Sequence, residues 1–238
     1  MDDATKATWL FLMRSKSKVR QLFHSFYAIV STQIGVKIKT IRTNNAKEFD
    51  MPNFLNSHGI IHYVYTPQQN SIVERKHQHL LSIARVLQIQ SQIPIQFWDD
   101  YVLIVAYLIN KLAFPLLNDK IPFELPFKRP PNYYHLKVFG CLCFASTIAQ
   151  TKNKFSPRAR KCVFIGYPFN IKGYKLFDLE SHTVFVSRDV IFHESVFPYV
   201  LNSCESNSHP LLPLPCVSAI PTIFDDTIMP KPLSSAIP

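Results

Sequence analysis

The sequence lacks any apolar run long enough to cross a bilayer. The longest run, residues 101–109 (YVLIVAYLI), is far shorter than the roughly 20 residues that a membrane-spanning helix needs. The amino terminus, MDDATKATW, carries acids where a secretory signal has basic residues and then an apolar core. We therefore predict a buried helix at residues 101–109, no membrane partner, no secretory signal and a nuclear or cytoplasmic location.

Metal-binding patterns of cysteine and histidine are also missing. The five cysteines form no CxxC pair, and the nine histidines are dispersed, which argues against a structural zinc site. Cys141 and Cys143 alternate in a strand-like run, so both side chains are expected on one face of a sheet. We predict free, buried thiols in a reducing compartment.

Acidic residues are in short supply relative to basic ones. The chain has 26 Lys and Arg against 16 Asp and Glu, a formal net charge of +10 and a pI of about 9.4. This balance favours a polyanionic partner, with nucleic acid as the first candidate, although a membrane surface or a merely basic protein fits the composition too. With 47% apolar residues in 238, the chain is long and apolar enough for one or two folded domains.

Hydrophobic periodicity in the first half predicts alternating strands and helices. The predicted elements, in chain order, are a strand at 8–13, a helix from Ser15 to Gly35, a strand at 36–41, a short helix or loop at 52–59, a strand at 60–65, and helices at 73–92 and 94–112. This order predicts an α/β layered domain over residues 1–112.

The second half changes character. Residues 113–137 are rich in proline and predict an extended linker. Residues 138–197 contain the short strand-like runs VFGCLCFAS, KCVFIGYP, GYKLFDLE and HTVFVSRDVIF, which predict a small antiparallel β-barrel. Residues 198–238 are rich in proline and serine and predict a disordered tail.

One loop and the helix after it have the composition of a phosphate-binding site. In TPQQNSIVERKHQHLL, the amides of Gln68, Gln69 and Asn70 precede a helix whose first turn carries Glu74, Arg75 and Lys76. Loop amides and a helix amino terminus can hold phosphate, and the two cations add charge. Glu74 is the residue here that could bind a divalent metal, but a glutamate in a first helical turn is also routine because the helix dipole favours it.

A second stretch, IRTNNAKEFD, follows a predicted strand. Asn44 and Asn45 lie where an enzyme acting on phosphates would place a metal-binding carboxylate. On propensity alone they form a good turn after a strand.

These stretches resemble the integrases encoded by Ty1/copia-type retrotransposons. TPQQNSIVERK resembles the family's TPQQNG and ERK, IRTNNAKEF resembles RSDNGGEF, and IPIQFWDDYVLIVAYLIN, HLKVFGCLCFAS and VSRDVIFHE resemble later segments. The resemblance covers residues 2–198 and is closest to plant copia elements, where the segment lies inside a Gag–Pol polyprotein. It implies an RNase H-like integrase core, truncated at its amino terminus, followed by an SH3-like β-barrel.

The resemblance also implies a metal site that this chain lacks in part. The family uses two aspartates and a glutamate to hold two Mg²⁺ or Mn²⁺ ions for strand transfer. Glu74 matches the glutamate and Asn44 matches the second aspartate. The first aspartate is expected on the strand before the one predicted at residues 8–13, and this chain starts after that strand. Asp2 and Asp3 resemble a non-catalytic acid pair, and Ala46 replaces a family glycine.

Taken with the resemblance, the sequence predicts an integrase-derived protein. Its ancestral role is DNA integration, and we expect it to be catalytically inactive, to bind no metal and to keep some nucleic-acid binding. The alternatives are a functioning integrase with replacement acids, a domesticated DNA-binding or structural module, and the product of a pseudogene.

The expected DNA surface lies on the SH3-like barrel. No acid occurs between residues 150 and 175, and aromatic residues are interleaved with seven cations: Lys152, Lys154, Arg158, Arg160, Lys161, Lys172 and Lys175. The first five are the proposed DNA contacts on the barrel, in addition to the proposed contacts Gln68, Gln69, Asn70, Arg75 and Lys76 of the loop and helix described above. For the barrel cations, a solvated basic face is the alternative. The partner is therefore DNA, and assembly into homo-oligomers is left open.

Overall fold

The computed structural model describes residues 1–44, 46–65, 71–146, 158–169 and 171–202. Two compact units divide the chain. Among the described residues, the first unit contains Met1–Leu81 and Asn110–Pro130, and the second contains Ser82–Ile109 and residues 131–202. The two compact units combine separate segments of the chain and so do not test the predicted domain boundaries, which stay predictions. None of the described helices is both long and apolar enough to cross a membrane.

The described part of the chain is a mixture of helices and strands. In chain order these are α1 (Val19–Ile29), β1 (Thr40–Asn44), α2 (Pro52–Ser57), β2 (Ile61–Tyr65), α3 (Ser71–Ser91), α4 (Trp98–Ile109), α5 (Glu124–Phe127), β3 (Leu142–Ser146), β4 (Ala159–Gly166), β5 (Tyr174–Asp178), β6 (Val184–Ser187), β7 (Val190–His193) and α6 (Pro198–Asn202). Most predicted helices and strands are thus confirmed, with different ends.

The helix α1 forms where the sequence predicts it. Ser15 accepts a hydrogen bond from the Ser17 amide and begins a 3₁₀ turn that leads into α1. A π-helical turn, Val30–Ile34, extends α1 to Gly35, whose φ of 72° is the left-handed conformation that ends helices. Side chains of α1 pack on the core of the first unit, which is formed by Met51, Leu55 and Ile60.

The strand predicted at residues 8–13 is wrong. This segment pairs with no strand in the described part of the chain, and a β-strand exists only through a ladder with a neighbour. The backbone of Thr8 is instead satisfied by a side chain: Asn110 accepts from the Thr8 amide and donates to the Thr8 carbonyl, both at 2.8 Å. Trp9 and Phe11 pack edge-on against Phe26 of α1.

The first unit has a two-stranded parallel sheet. The register pairs Thr40 with Ile61 and Asn44 with Tyr65. The strand predicted at 36–41 therefore begins four residues before the observed strand β1. The position of β1 is set by its pairing with the five residues of β2. Ala46 adopts φ −88°, so the loss of a glycine at this position causes no left-handed strain.

The second unit contains the antiparallel sheet that the sequence predicts. Its strand order is β6-β5-β4-β3-β7, so β6 and β7 form opposite edges although only Arg188 and Asp189 connect them. A flat sheet would place these edges about 19 Å apart, whereas three Cα–Cα steps reach about 11 Å. The sheet must therefore curve strongly, as in a small barrel.

The helix α4 packs against this curved sheet. Nine of its residues are buried, which confirms the buried helix predicted at residues 101–109. Because α4 packs against β4, the last five residues of β4 are all buried instead of alternating. Ring contacts of 5.0 Å join Phe97 to Phe177 and Tyr101 to Phe139.

The remaining predictions concern cysteines, the linker and the tail. Cys141, Cys143 and Cys162 are free, buried thiols, as predicted. The proline-rich segment contains two short helical turns, Pro115–Leu117 and α5. The predicted tail begins with α6, and its residues 203–238 lie outside the described residues.

Candidate functional site

Asn44 ends β1 directly opposite Tyr65, the last residue of β2. The two strands are parallel, so their carboxyl ends meet at one edge of the sheet, where open α/β sheets commonly bind ligands. The Asn44 side chain is exposed, and its backbone carbonyl accepts a hydrogen bond from the Ala46 amide at 2.7 Å. Asn44 is therefore both a turn residue and an exposed side chain at the carboxyl edge of the two-stranded sheet, and Asn45 lies outside the described residues.

Glu74 lies in the first turn of α3, and its side chain is exposed. Neither a hydrogen bond nor an ion pair joins it to Asn44, and both are described residues. The loop with Gln68, Gln69 and Asn70 lies outside the described residues, so its role remains a prediction. The structure therefore places each candidate separately but does not join them into one site.

The two cations beside Glu74 have different surroundings. The Arg75 Nε donates to the Ser71 carbonyl at 3.4 Å, and its side chain is exposed. The Lys76 ammonium lies 5.4 Å from the centre of the Phe114 ring, and burial lowers its pKa. Arg75 is thus the more accessible of the two to a phosphate.

The residues that would hold metal do not fit a two-metal centre. Within the described ranges, no three His, Cys, Asp or Glu side chains lie close enough together to bind an ion. Asn44 offers one neutral carbonyl oxygen and Glu74 one carboxylate, whereas hard divalent cations need several anionic oxygens. That the protein binds no divalent metal remains a prediction.

Asp2 and Asp3 have local partners. The Asp2 carboxylate accepts from both the amide and the hydroxyl of Thr5 at 2.7 Å. Asp3 pairs with Lys6 at 3.1 Å and with Arg42 at 2.7 Å, and Lys6 first and Arg42 to a smaller extent hold the pKa of Asp3 below its usual value. Arg42 lies two residues before Asn44 and hence on the same side of β1. Sequence reasoning missed this cation because only the fold brings it to Asp3.

Three of the five proposed DNA contacts lie at the start of β4. Arg158, Arg160 and Lys161 are all exposed, whereas Lys152 and Lys154 lie outside the described residues. The Arg160 guanidinium is partly engaged, since its Nη1 is 3.7 Å from Asp178 Oδ2 and it lies over the Phe185 ring. Lys161 points to the opposite side of the strand from Arg160.

Two further cations of the predicted basic surface differ in accessibility. Lys175 donates to Asp100 at 2.6 Å in a half-buried ion pair, so it is not available to a phosphate. Beside Lys172, however, the structure brings an exposed cation that sequence reasoning missed: Arg188 Nε donates to the Lys172 carbonyl at 3.1 Å. The position of Arg188 in the two-residue connection between β6 and β7 was the sequence signal that could have identified it as an exposed cation.

Comparison with known families gives a match over part of the second unit. Residues 141–205 match the family described as "Retroviral polymerase SH3-like domain". This range contains all five strands of the curved sheet. The predicted SH3-like domain is thereby supported by its sequence family as well as by its strand order.

Comparison with curated proteins extends the relationship over most of the chain. The retrovirus-related Pol polyprotein from transposon RE2 of Arabidopsis thaliana is 33% identical over 203 residues, which is 84% of this chain and 14% of the polyprotein. That from transposon TNT 1-94 of Nicotiana tabacum is 32% identical over 237 residues, 95% of this chain and 18% of the polyprotein. The chain is therefore related to the Pol polyproteins of copia-like transposons, as the resemblance predicts, and spans a small part of their length.

Comparison with solved structures gives a weaker likeness. A chain from the simian T-cell lymphotropic virus intasome in complex with PP2A regulatory subunit B56 gamma aligns with a TM-score of 0.34 at 13% identity. The alignment covers 76% of this chain and 67% of the other. At this TM-score the likeness supports no argument about fold or function.

Proposed function

We propose that this chain is an integrase-derived protein that binds nucleic acid and does not catalyse strand transfer. The observation that carries the proposal is Asn44, an amide at the carboxyl end of β1 where the related chemistry needs a carboxylate. An amide keeps the shape of aspartate but loses the charge that holds divalent metal. Glu74 alone would bind such an ion weakly.

The first unit is proposed to be a fragment of an RNase H-like core. In its favour, β1 and β2 are parallel, α1 precedes them, and α3 follows them with Glu74 in its first turn. The relationship to copia-like Pol polyproteins agrees with this origin. The activity of the whole polyprotein does not follow from it, since the chain matches only 14–18% of these relatives.

Nucleic-acid binding is proposed for the start of β4. Arg158 and Lys161 are exposed cations on the SH3-like unit, and Arg188 adds a third on the β6–β7 turn. Lys and Arg side chains bind phosphates with little regard to base sequence and release counterions as they do so. The net charge of +10 supports the same partner. We therefore expect duplex DNA to be bound without marked sequence preference.

Two assays on the full chain test the two halves of the proposal. Incubation with a duplex carrying a recessed 3′ end and Mg²⁺ or Mn²⁺ is expected to give no strand-transfer product. The same preparation is expected to shift a labelled duplex at low salt. Metal-dependent product that Glu74→Ala abolishes would refute inactivity, and no duplex binding at low salt would refute the binding role.

A further inference from the structure

The first unit carries a cluster of aromatic rings that reaches its surface. The Phe54 ring of α2 is stacked on His24 of α1, with centroids 4.0 Å apart, and lies 4.3 Å from the tilted ring of His58 at the end of α2. Tyr27 meets Phe54 and His58 edge-on, at 5.6 and 4.6 Å. We call these four side chains the His–Phe–His platform.

The platform is held in place by the core of the first unit and by a contact between His58 and the backbone of α2. Phe54 and Tyr27 pack against the core formed by Met51, Leu55 and Ile60. The His58 Nδ1 lies 2.9 Å from the Phe54 carbonyl oxygen and 3.0 Å from the Ser57 hydroxyl, and these contacts hold the imidazole at the end of α2. His24 and His58 contact Phe54, and His58 also contacts Tyr27, while both histidine side chains remain exposed to solvent.

Cations outnumber acids in the segments around the platform. Residues 4–47 contain nine Lys and Arg and neither Asp nor Glu, and the acids Glu48 and Asp50 lie between β1 and α2. Arg20 precedes His24 by one helical turn on the same side of α1, and Lys16 and Lys18 occupy the 3₁₀ turn before it. All three cations are exposed.

We infer that the His–Phe–His platform binds single-stranded nucleic acid. Exposed aromatic faces flanked by Lys and Arg are the combination on which unpaired bases stack while their phosphates are neutralised. A duplex fits less well, because its bases are stacked on each other and present only edges. An acidic peptide could satisfy the charges but would leave the planar ring faces without a matching partner. This surface and its ligand are distinct from the duplex-binding surface proposed on β4.

The test uses the full chain and a fluorescent oligo(dT), which has no secondary structure. We expect the double variant His24→Ala with His58→Ala to bind oligo(dT) at least about fivefold more weakly, because two stacking faces are lost. The double variant His24→Phe with His58→Phe keeps the faces and is expected to stay within about twofold of the parent. His79→Ala, an exposed histidine of α3, serves as the matched control and should bind as the parent does.

The outcomes separate this inference from the proposed function. Unchanged oligo(dT) affinity in the double alanine variant overturns the inference, as does a loss that the double phenylalanine variant shares, or preferential binding of an acidic peptide. Duplex affinity should not change in either double variant, while Lys161→Gln should lower it. If Lys161→Gln acts as expected and the platform variants have no effect, this inference fails and the proposed function stands.

Discussion

Lys175 of β5 donates a hydrogen bond to the carboxylate of Asp100 in α4 at 2.6 Å, inside the second unit. The other carboxylate oxygen of Asp100 is buried without a hydrogen-bond partner among the described residues, and so is Asp99 Oδ1. Burial raises the pKa of Asp100 to about 6, although Lys175 acts in the opposite direction. The attraction of Lys175 therefore does not fully offset the cost of removing this carboxylate from water.

This pair predicts a pH dependence of unfolding. A carboxylate with a pKa near 6 in the folded chain and about 3.9 in the unfolded chain favours folding in its protonated form. Its contribution is complete below about pH 4 and is lost as pH rises through 6. Between pH 7 and pH 5, the free energy of unfolding of the second unit should gain about 1 kcal/mol from Asp100, measured by urea unfolding.

The variant Asp100→Asn isolates this effect because an amide cannot ionise. Its pH profile between 5 and 7 should be flatter than that of the parent by about 1 kcal/mol, whatever its absolute stability. Asp189→Asn, an exposed acid in the same unit, is the control and should keep the parental profile. Identical profiles for Asp100→Asn and the parent would show that Asp100 titrates normally.

Gly140 is predicted to tolerate no side chain. It has φ +83°, and a Cβ placed on it would lie 2.3 Å from the Cβ of Ser91, at the end of α3. Gly140→Ala should destabilise the second unit by about 2–4 kcal/mol through overpacking added to backbone strain. Thermal unfolding checks this against Gly59→Ala, where φ is +64° but no atom lies within 4 Å. Equal losses in the two variants would mean that the contact with Ser91 is unimportant.

The Asn110 side chain supplies the hydrogen bonds that a neighbouring strand would otherwise give to the backbone of Thr8. Asn110→Leu leaves the buried amide and carbonyl of Thr8 without these partners, so we expect a loss of about 2–4 kcal/mol in the first unit. Urea unfolding should show this loss of free energy of unfolding, and hydrogen exchange at the Thr8 amide should accelerate. The exposed Asn56→Ala should change neither, and slow exchange at Thr8 in Asn110→Leu would contradict this role.

Local sequence signals predicted most helices and strands of this fold but not the contacts that organise it. The apolar run at 101–109 gave α4, yet the burial of Asp99 and Asp100 in its first turn depends on packing against the curved sheet. The strand predicted at 8–13 failed because strand formation depends on a partner elsewhere in the chain. Asn110, which takes the partner's place, lies 102 positions away from Thr8.

The candidate sites show the same limit. Sequence pattern located Asn44 and Glu74 at a strand end and a helix start, since both signals are local. It assigned Lys175 to the basic surface, however, because only the fold places this residue against Asp100. The His–Phe–His platform was missed for a similar reason, as it joins residues of two helices that lie 30 positions apart.

Restoring one acid should not restore catalysis. Asn44→Asp would supply a second carboxylate, but neither a hydrogen bond nor an ion pair joins residue 44 to Glu74 in the described ranges. We expect no strand-transfer product from this variant with Mg²⁺ or Mn²⁺, because two-metal chemistry needs more anionic ligands. Asn44→Ser, which adds no charge, is the control for any background nuclease. Product from Asn44→Asp alone would show that the site is complete apart from this residue.

The phosphate contacts proposed on β4 predict how the salt dependence of duplex binding changes when a single cation is removed. The most direct measurement is the slope of log binding constant against log salt for a duplex, in the parent, in Lys161→Gln and in Arg160→Gln. Losing one phosphate contact should reduce the slope by about 0.9 in Lys161→Gln, and by less in Arg160→Gln because Asp178 already pairs with that guanidinium. A parental slope in Lys161→Gln, or a parent that binds no duplex at low salt, would rule out nucleic-acid binding through these phosphate contacts.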